Sequence, residues 1–201
     1  FHFGRYDQWG PYSLRVLEKI AQLLTLGLAV YPLRGNHEAG LLDFDERGKL
    51  KKLNSAVKKR NSRHLLNGRG RLKAGVSHFL SHLPYFFETP DEYLVHAGFD
   101  TSAERPFEQW ESMLTIRSFR YDNAIFDGKP IFHGHIPTSF RRINRALETL
   151  DTTGKQPWKT KTVVLDNGCV NVTQRNQGCL ACLELNSLAL MYFRNSDVTE
   201  K

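Results

Sequence analysis

Sulfur is scarce in this sequence. Its 201 residues include three cysteines, at positions 169, 179 and 182, and two methionines. An odd and small number of cysteines does not build the disulfide framework of a small secreted domain, so we expect reduced thiols and a cytoplasmic setting. The Cys179-x-x-Cys182 pair has no second CxxC partner and lies in an apolar stretch typical of a strand. We therefore expect packed thiols there rather than a zinc or redox site.

Long apolar runs are missing as well. No apolar stretch reaches the ~18 residues of a membrane-spanning helix, so we do not expect a membrane partner. Hydrophobic residues nevertheless make up 40% of the chain, which is enough for a domain with a core of its own. The sequence shows no internal repeat and no obvious linker. We predict a single domain over residues 1–201.

Acidic residues are missing from one segment. Residues 47–73 contain eleven Lys and Arg and no Asp or Glu, in a chain whose net charge is +7. Such a segment suits an anionic partner, for example a phosphoprotein, or is a solvated helix face and loop. It lacks the interleaved aromatic side chains on which single-stranded nucleic acid stacks, so we do not expect nucleic acid to be the partner.

The start of the chain has the pattern of a strand, a helix and a second strand. Residues 1–4 and 28–33 are apolar runs, and between them apolar residues recur at helical spacing over residues 11–26. Strands connected in this way lie parallel, and in open α/β sheets ligands bind at the carboxyl ends of the strands. The stretch LRGNHEAG, residues 33–40, comes directly after the second predicted strand.

Histidines follow two further predicted strands. Residues 43–82 have a mostly helical pattern with a loop at 67–70, and strands are predicted after them. The strand over residues 93–95 ends at His96, and the strand over 130–132 is followed by His133-Gly134-His135. Additional strands are predicted at 162–165, 179–185 and 188–194. These patterns predict an α/β fold with polar side chains gathered at one edge of a sheet.

The side chains at these strand ends suit one kind of chemistry. Asn36, His96 and His135 would supply one oxygen and two imidazole nitrogens, a set that suits a borderline divalent metal such as Mn²⁺, Fe²⁺ or Zn²⁺. Arg34 offers a planar fork that matches phosphate oxygens, and His37 is suited to donate a proton. A metal, an acid and an arginine together fit the hydrolysis of a phosphate ester.

The order of these motifs resembles a known family. Arg34-Gly35-Asn36-His37-Glu38 is similar to the RGNHE signature of the Ser/Thr protein phosphatase branch of the calcineurin-like metallophosphoesterases. His96-Ala97-Gly98 resembles the HGG or HAG motif of that branch, and Gly134-His135-Ile136-Pro137 resembles its GHTP motif. MLTIRSF around Arg117 and VVLDNGCV near the end complete the ordered set. The resemblance covers nearly the whole chain and implies a β-sandwich flanked by helices.

The resemblance also implies roles for individual residues. His37 would be the general acid, and Arg34 and Arg117 would bind the phosphate. Asn36, His96 and His135 would be ligands of the second of two metal ions, with manganese the expected metal and iron or zinc the alternatives. The implied activity is dephosphorylation of phosphoserine and phosphothreonine in proteins, or of a phosphorylated small molecule. A sister activity in the superfamily is hydrolysis of dinucleoside tetraphosphates.

The chain departs from this family at its beginning. The first metal motif, GDxHG, and the first strand are absent, so the resemblance implies an N-terminal truncation. GRYDQWGP, residues 4–11, aligns with the GDxxDRG motif, but Arg5 replaces the aspartate that bridges the two metals. Gln8 and Trp9 replace the next two motif residues, and Asp7 lies close to them. Arginine keeps its positive charge and cannot bridge two cations.

Three interpretations of this departure stay open. The chain is a fragment with a corrupted beginning, or a pseudophosphatase that binds phosphoproteins without hydrolysing them, or an enzyme with one metal and weak activity. We expect the parent protein to be a working phosphatase and this chain made alone to be inactive, with its first metal site in doubt.

Overall fold

The protein was analysed as a computed structural model, which describes residues 12–59, 62–150 and 161–196. Its α-helices are α1 (Ser13–Thr25), α2 (Asn36–Glu46), α3 (Leu50–Lys59), α4 (Ala74–Ser81), α5 (Trp110–Thr115), α6 (Asn123–Phe126) and α7 (Phe140–Glu148). Its strands are β1 (Phe86–Glu88), β2 (Tyr93–Val95), β3 (Ile131–His133), β4 (Thr162–Val164), β5 (Cys179–Leu183) and β6 (Leu190–Arg194). The chain divides into two compact units, with the boundary between Tyr85 and Phe86. Within the described ranges, no helix is long and apolar enough to span a bilayer.

Helix α1 ends where the sequence predicts. Gly27 adopts φ +76°, a conformation that glycine takes without steric strain. Its N–H donates to the carbonyl of Leu24 at 3.0 Å. The next N–H, of Leu28, donates to the carbonyl of Leu23 at 3.1 Å. This pair of bonds satisfies carbonyls of the last helical turn and stops the helix at that point.

The predicted strand over residues 28–33 is wrong for the described part of the chain, where only Pro32 makes an isolated bridge. Its expected partner, residues 1–4, lies outside the described residues. The segment is a poor strand because Leu28 and Tyr31 are 53% and 48% exposed and because Pro32 has no N–H to donate to a ladder. It still leads from α1 to the fully buried Leu33, directly before α2.

Unit 1, the described residues up to Tyr85, has an aliphatic core built from helices. Its buried side chains are Leu17, Ile20, Leu41, Leu42, Leu53, Val57, Leu65, Leu72, Val76, Leu80 and Leu83. Helices α2, α3 and α4 confirm the mostly helical pattern predicted for residues 43–82, although α2 begins earlier, at Asn36. Truncation of a fully buried leucine in such a core, for example Leu53→Ala, costs about 2–5 kcal/mol.

The basic segment forms the solvated side of this unit. In α3, Leu53 and Val57 are buried, whereas the lysines on its other face are exposed. The segment is fixed to α2 by ion pairs, since Arg47 and Lys49 contact Asp43 at 2.5 and 3.2 Å. This supports the interpretation as a helix face and leaves the anionic partner a prediction.

Unit 2, from Phe86 onward, carries a four-stranded mixed sheet in the order β1-β2-β3-β4. Strand β1 is antiparallel to β2, whereas β2, β3 and β4 run parallel. The strands predicted at 93–95, 130–132 and 162–165 are confirmed within one residue, and so is the expected α/β fold with a sheet flanked by helices. Strand β1 was not predicted from the sequence.

An aromatic cluster supports the beginning of β2. The rings pack with centroids 5.2–6.1 Å apart and belong to Phe86, Tyr93, Phe99, Phe107, Tyr121 and Phe126. The Tyr93 hydroxyl donates to Glu88 at 3.0 Å, and Lys129 reaches the same carboxylate at 2.7 Å. Burial, and then the Glu88 carboxylate, raises the pKa of Tyr93 to about 12. Strand β2 is thus held at one end while its other end carries His96.

Strands β5 and β6 form a separate antiparallel hairpin and confirm the last two predicted strands. Cys179 is half-buried and Cys182 is exposed, and both are free thiols. The expectation of packed thiols is therefore wrong for Cys182, because a two-stranded hairpin leaves alternate side chains on an open face.

Candidate functional site

The carboxyl ends of β2 and β3 lie side by side. Val95 pairs with His133 in the parallel register, so the chain leaves both strands at the same edge. Directly beyond this pair the N–H of Gly134 donates to the carbonyl of His96 at 2.9 Å. That bond fixes the loop that carries His135 against the loop that carries His96.

This edge brings His96 and His135 together. The Nε2 atom of His96 lies 3.2 Å from the Nδ1 atom of His135, with ring centroids 5.0 Å apart. His96 is fully buried. His135 has φ +69°, which is sparsely populated for residues other than glycine and is found mostly where surrounding structure imposes it, often at functional sites. The predicted pair of imidazole ligands thus meets in space, although 39 residues separate them in the sequence.

The spacing of these two nitrogens fits a shared metal ion. Ligand nitrogens lie about 2.0–2.1 Å from a bound zinc ion, so two of them 3.2 Å apart subtend an angle of about 100° at the ion. This value lies between octahedral and tetrahedral geometry. Among the described residues, however, no three His, Cys, Asp or Glu side chains are grouped. The 3.2 Å contact is a hydrogen-bond distance and is also compatible with two ligands of one ion, so His96, His135 and Asn36 all stay predicted ligands.

His133 differs from its two neighbours. It is the last residue of β3 and is buried, with its ring packed 5.4 Å from that of Phe119. Burial lowers its pKa to about 4, and its Nδ1 atom has no hydrogen-bond partner in the described ranges. The ring is therefore neutral and packs against Phe119, and no motif of the family assigns a role to it.

Gly98 allows a second segment to approach the His96 loop. It has φ +151°, and a Cβ atom at this position would lie 2.4 Å from the Phe119 ring and 3.1 Å from Ile116. The segment between α5 and α6 can therefore pack on the loop only because residue 98 is glycine. Arg117 lies on this segment, and its exposed side chain forms no ion pair with another described residue. The role of Arg117 in binding phosphate stays a prediction.

Asn167 holds the loop that follows His135, a role that sequence reasoning missed. Its buried side chain donates to the carbonyls of Thr138 and Asn176 at 3.0 and 3.1 Å. Its oxygen accepts from the N–H of Cys179 at 3.2 Å. One amide thus connects the end of the GHIP loop to the start of β5. The motif LDNG contained the signal, because asparagine is suited to bonding with backbone groups in loops.

In unit 1, Arg34, Asn36 and His37 surround the beginning of α2. Gly35 is the N-cap, so Asn36 and His37 occupy the first turn. Glu38 is fully buried, and its carboxylate accepts the N–H of Gly35 at 3.0 Å. This bond fixes the turn that presents Asn36 and His37, and it gives Glu38 a structural role that the sequence reasoning did not assign. Helix N-termini attract anions, which suits a phosphate-binding role.

The guanidinium group of Arg34 is held by its own unit. Its Nη1 donates to the Tyr85 hydroxyl at 2.9 Å, and its Nη2 donates to the carbonyl of Ser81 at 2.6 Å. The group also lies over the Tyr85 ring, 4.7 Å from the centroid. The charged fork is therefore fixed in one orientation by the end of α4.

The family's bridging position falls outside the described residues. Arg5, Asp7, Gln8 and Trp9 all belong to that part of the chain. The loss of the metal bridge at Arg5 and the dinuclear nature of the site therefore stay predictions.

Comparison with known proteins gives a family and a fold. A family model described as calcineurin-like phosphoesterase matches residues 2–166. Among solved structures, the chain is similar to the crystal structure of a protein to which diadenosine tetraphosphatase activity has been attributed by inference. That likeness has a TM-score of 0.53 and 20% identity, and it covers 92% of this chain and 75% of the other. No curated protein matches the chain.

Proposed function

Because the chain belongs to the calcineurin-like phosphoesterase family, we propose that the protein is a metal-dependent hydrolase of phosphomonoesters, with phosphoserine and phosphothreonine in proteins as its substrates. Phosphorylated small molecules are the wider substrate class. The observation that carries this proposal is the convergence of His96 and His135 at 3.2 Å. It occurs at the edge of the sheet where ligands of α/β proteins bind.

The residues divide the work by their chemistry. His96 and His135 would hold a divalent metal ion, with manganese proposed and iron or zinc as alternatives, and Asn36 is proposed as an oxygen ligand. Such an ion, when bound, lowers the pKa of water and neutralises developing charge. Arg34 and Arg117 are proposed to bind the phosphoryl oxygens, since guanidinium groups match them bidentately. His37 is proposed to protonate the leaving oxygen.

A test of this assignment compares hydrolysis of an aryl phosphate and of a phosphoserine peptide by the metal-free full-length protein before and after addition of Mn²⁺. We expect metal-dependent turnover that is lost in His37→Asn. His64→Gln is a matched control, because it also removes an imidazole from unit 1 but lies in no proposed site. Full-length protein that hydrolyses no phosphate ester with Mn²⁺, Fe²⁺ or Zn²⁺ would refute the proposal.

A second candidate is hydrolysis of dinucleoside tetraphosphates. It is favoured by the structural similarity to the protein named as a diadenosine tetraphosphatase, which by itself indicates only a shared fold. Parallel assays with diadenosine tetraphosphate and with the phosphopeptide separate the two substrates by their kcat/KM values. Tight phosphopeptide binding without turnover, by protein that retains no metal, would instead support the pseudophosphatase interpretation.

A further inference from the structure

A second histidine pair lies at the end of α4 and belongs to none of the motifs discussed above. His78 and His82 are four residues apart, and their ring centroids are 4.2 Å apart with an interplanar angle of 45°. His82 is the C-cap of the helix, and its φ of −98° and ψ of −1° lie in the right-handed helical region. Both side chains are exposed. Residues at this spacing lie one above the other on the same helix face.

Hydrogen bonding determines which nitrogen of His82 carries its proton. The Nδ1 atom of His82 lies 2.7 Å from the carbonyl oxygen of His78. A carbonyl oxygen only accepts, so Nδ1 carries the hydrogen and Nε2 of the neutral ring carries the lone pair. Histidines that bind metals typically donate their other ring N–H to a carbonyl or carboxylate in this way, which fixes the ring and the tautomer. His82 is thus prepared to coordinate through Nε2.

The surroundings of the pair also favour a cation. The negative end of the helix dipole lies at the C-terminus of α4, where positive charge is stabilised. Two imidazoles suit borderline ions such as Zn²⁺, Ni²⁺ and Cu²⁺ and not Mg²⁺ or Ca²⁺, which prefer oxygen. Since no group of three His, Cys, Asp or Glu occurs in the described ranges, water would complete the coordination.

We propose that His78 and His82 form an exposed two-histidine site for a borderline divalent transition-metal ion. The site shares no residue with the His96–His135 pair and does not depend on the proposed phosphatase activity. Arg34 contacts the same turn of the helix, because the carbonyl of Ser81, between the two histidines, accepts a hydrogen bond from its Nη2 atom at 2.6 Å. A metal ion there would occupy the same helical turn that orients the guanidinium group.

Calorimetric titration of metal-free protein with Ni²⁺ and with Zn²⁺ tests the site. Wild-type protein should bind one more ion than His78→Gln or His82→Gln, or bind it about tenfold or more tightly, since the second imidazole acts at high effective concentration. Both side chains are exposed, so the variants should fold, and circular dichroism verifies this. The readout is stoichiometry and affinity, which distinguishes failure of this site from failure of the phosphatase proposal.

Variants in which one histidine is moved along the helix provide the matched control. Ser77→His with His78→Gln keeps two histidines but places them five residues apart, off the common face, and should bind as weakly as the single variants. Ser81→His with His82→Gln places them three residues apart on the same face and should restore part of the affinity. Equal binding by wild type and by the misregistered variant would overturn the proposal, as would unchanged binding in His78→Gln and His82→Gln.

Discussion

The two histidine pairs of this protein are built in opposite ways. His96 and His135 come from two loops at the ends of parallel strands, and His96 is fully buried. His78 and His82 come from one helix and are exposed. The first pair exists only because the sheet brings distant segments together. The second exists wherever a helix forms over those residues.

This difference determines what each pair can do. The first pair, of which His96 is fully buried, is oriented by the sheet, so the metal ion proposed there would meet ligands that are already fixed in place. An exposed pair on a helix offers two donors and open coordination positions, so it suits reversible binding of an ion. We expect catalysis at the first pair and exchangeable binding at the second.

The strongest test of this contrast substitutes one histidine of each pair. His96→Ala should reduce metal-dependent hydrolysis by the full-length protein by more than 100-fold, because loss of even an outer partner of a metal ligand typically costs about 10–100-fold. It should also lower the free energy of unfolding, since a fully buried side chain is removed. His78→Ala is exposed and should change the free energy of unfolding by about 0.5 kcal/mol or less. Steady-state kinetics and urea unfolding of both variants provide the comparison, and equal loss of stability in the two would contradict it.

The next largest effect should come from Gly98, which lies on the same loop as His96. Gly98→Ala would place a methyl group 2.4 Å from the Phe119 ring at φ +151°. We expect a loss of about 1–3 kcal/mol from the strained backbone, with a further loss from the clash and reduced hydrolysis as the His96 loop shifts.

A double variant separates these two causes. Phe119→Ala removes the clashing ring but leaves the backbone strain, so Gly98→Ala should cost less in that background than in wild type. Urea unfolding of the four proteins measures the coupling free energy. Additive losses would show that Phe119 does not constrain residue 98.

The two pairs also show how much of this structure can be predicted from the sequence. The parallel strands and the strand-end positions of His96 and His135 follow from apolar runs and from the rule that ligands bind at carboxyl ends of strands. The spacing between the two ring nitrogens does not follow, because it depends on the register of β2 against β3 and on the positive φ of His135.

Other features were hidden because their signals are not periodic. The role of Asn167 depends on three backbone groups contributed by different loops. The predicted strand over residues 28–33 failed because its apolar composition says nothing about exposure or about the missing N–H of Pro32. The His78–His82 pair, in contrast, was visible as an i, i+4 spacing, but no family motif directed attention to it.

A smaller effect should come from Tyr85, which holds the guanidinium group of Arg34. Tyr85→Phe removes the hydroxyl that accepts from Arg34 Nη1 but keeps the ring beneath the guanidinium group. Loss of one such bond is worth about 0.5–1.5 kcal/mol, so we expect KM for a phosphate ester to rise about two- to tenfold while kcat changes less. Tyr12→Phe, at a 49% exposed tyrosine, is the matched control. A change confined to kcat would contradict a positioning role through Arg34.

The smallest effect concerns the protonation of His64. Its Nε2 accepts the N–H of Leu14 at 3.0 Å in the first turn of α1, so this nitrogen must be unprotonated. Burial, and then the charge of Lys73, lowers the pKa of His64, with Glu18 opposing. The unfolded chain therefore takes up the proton first as the pH falls below about 6.5. The stability that this contact contributes is present above that pH and declines below it.

His64→Gln, which cannot titrate, should flatten the dependence of the melting temperature on pH between 7 and 5. An unchanged slope in His64→Gln would show that the proton is taken up elsewhere, whereas a flattened slope would show that a single neutral imidazole secures the start of α1.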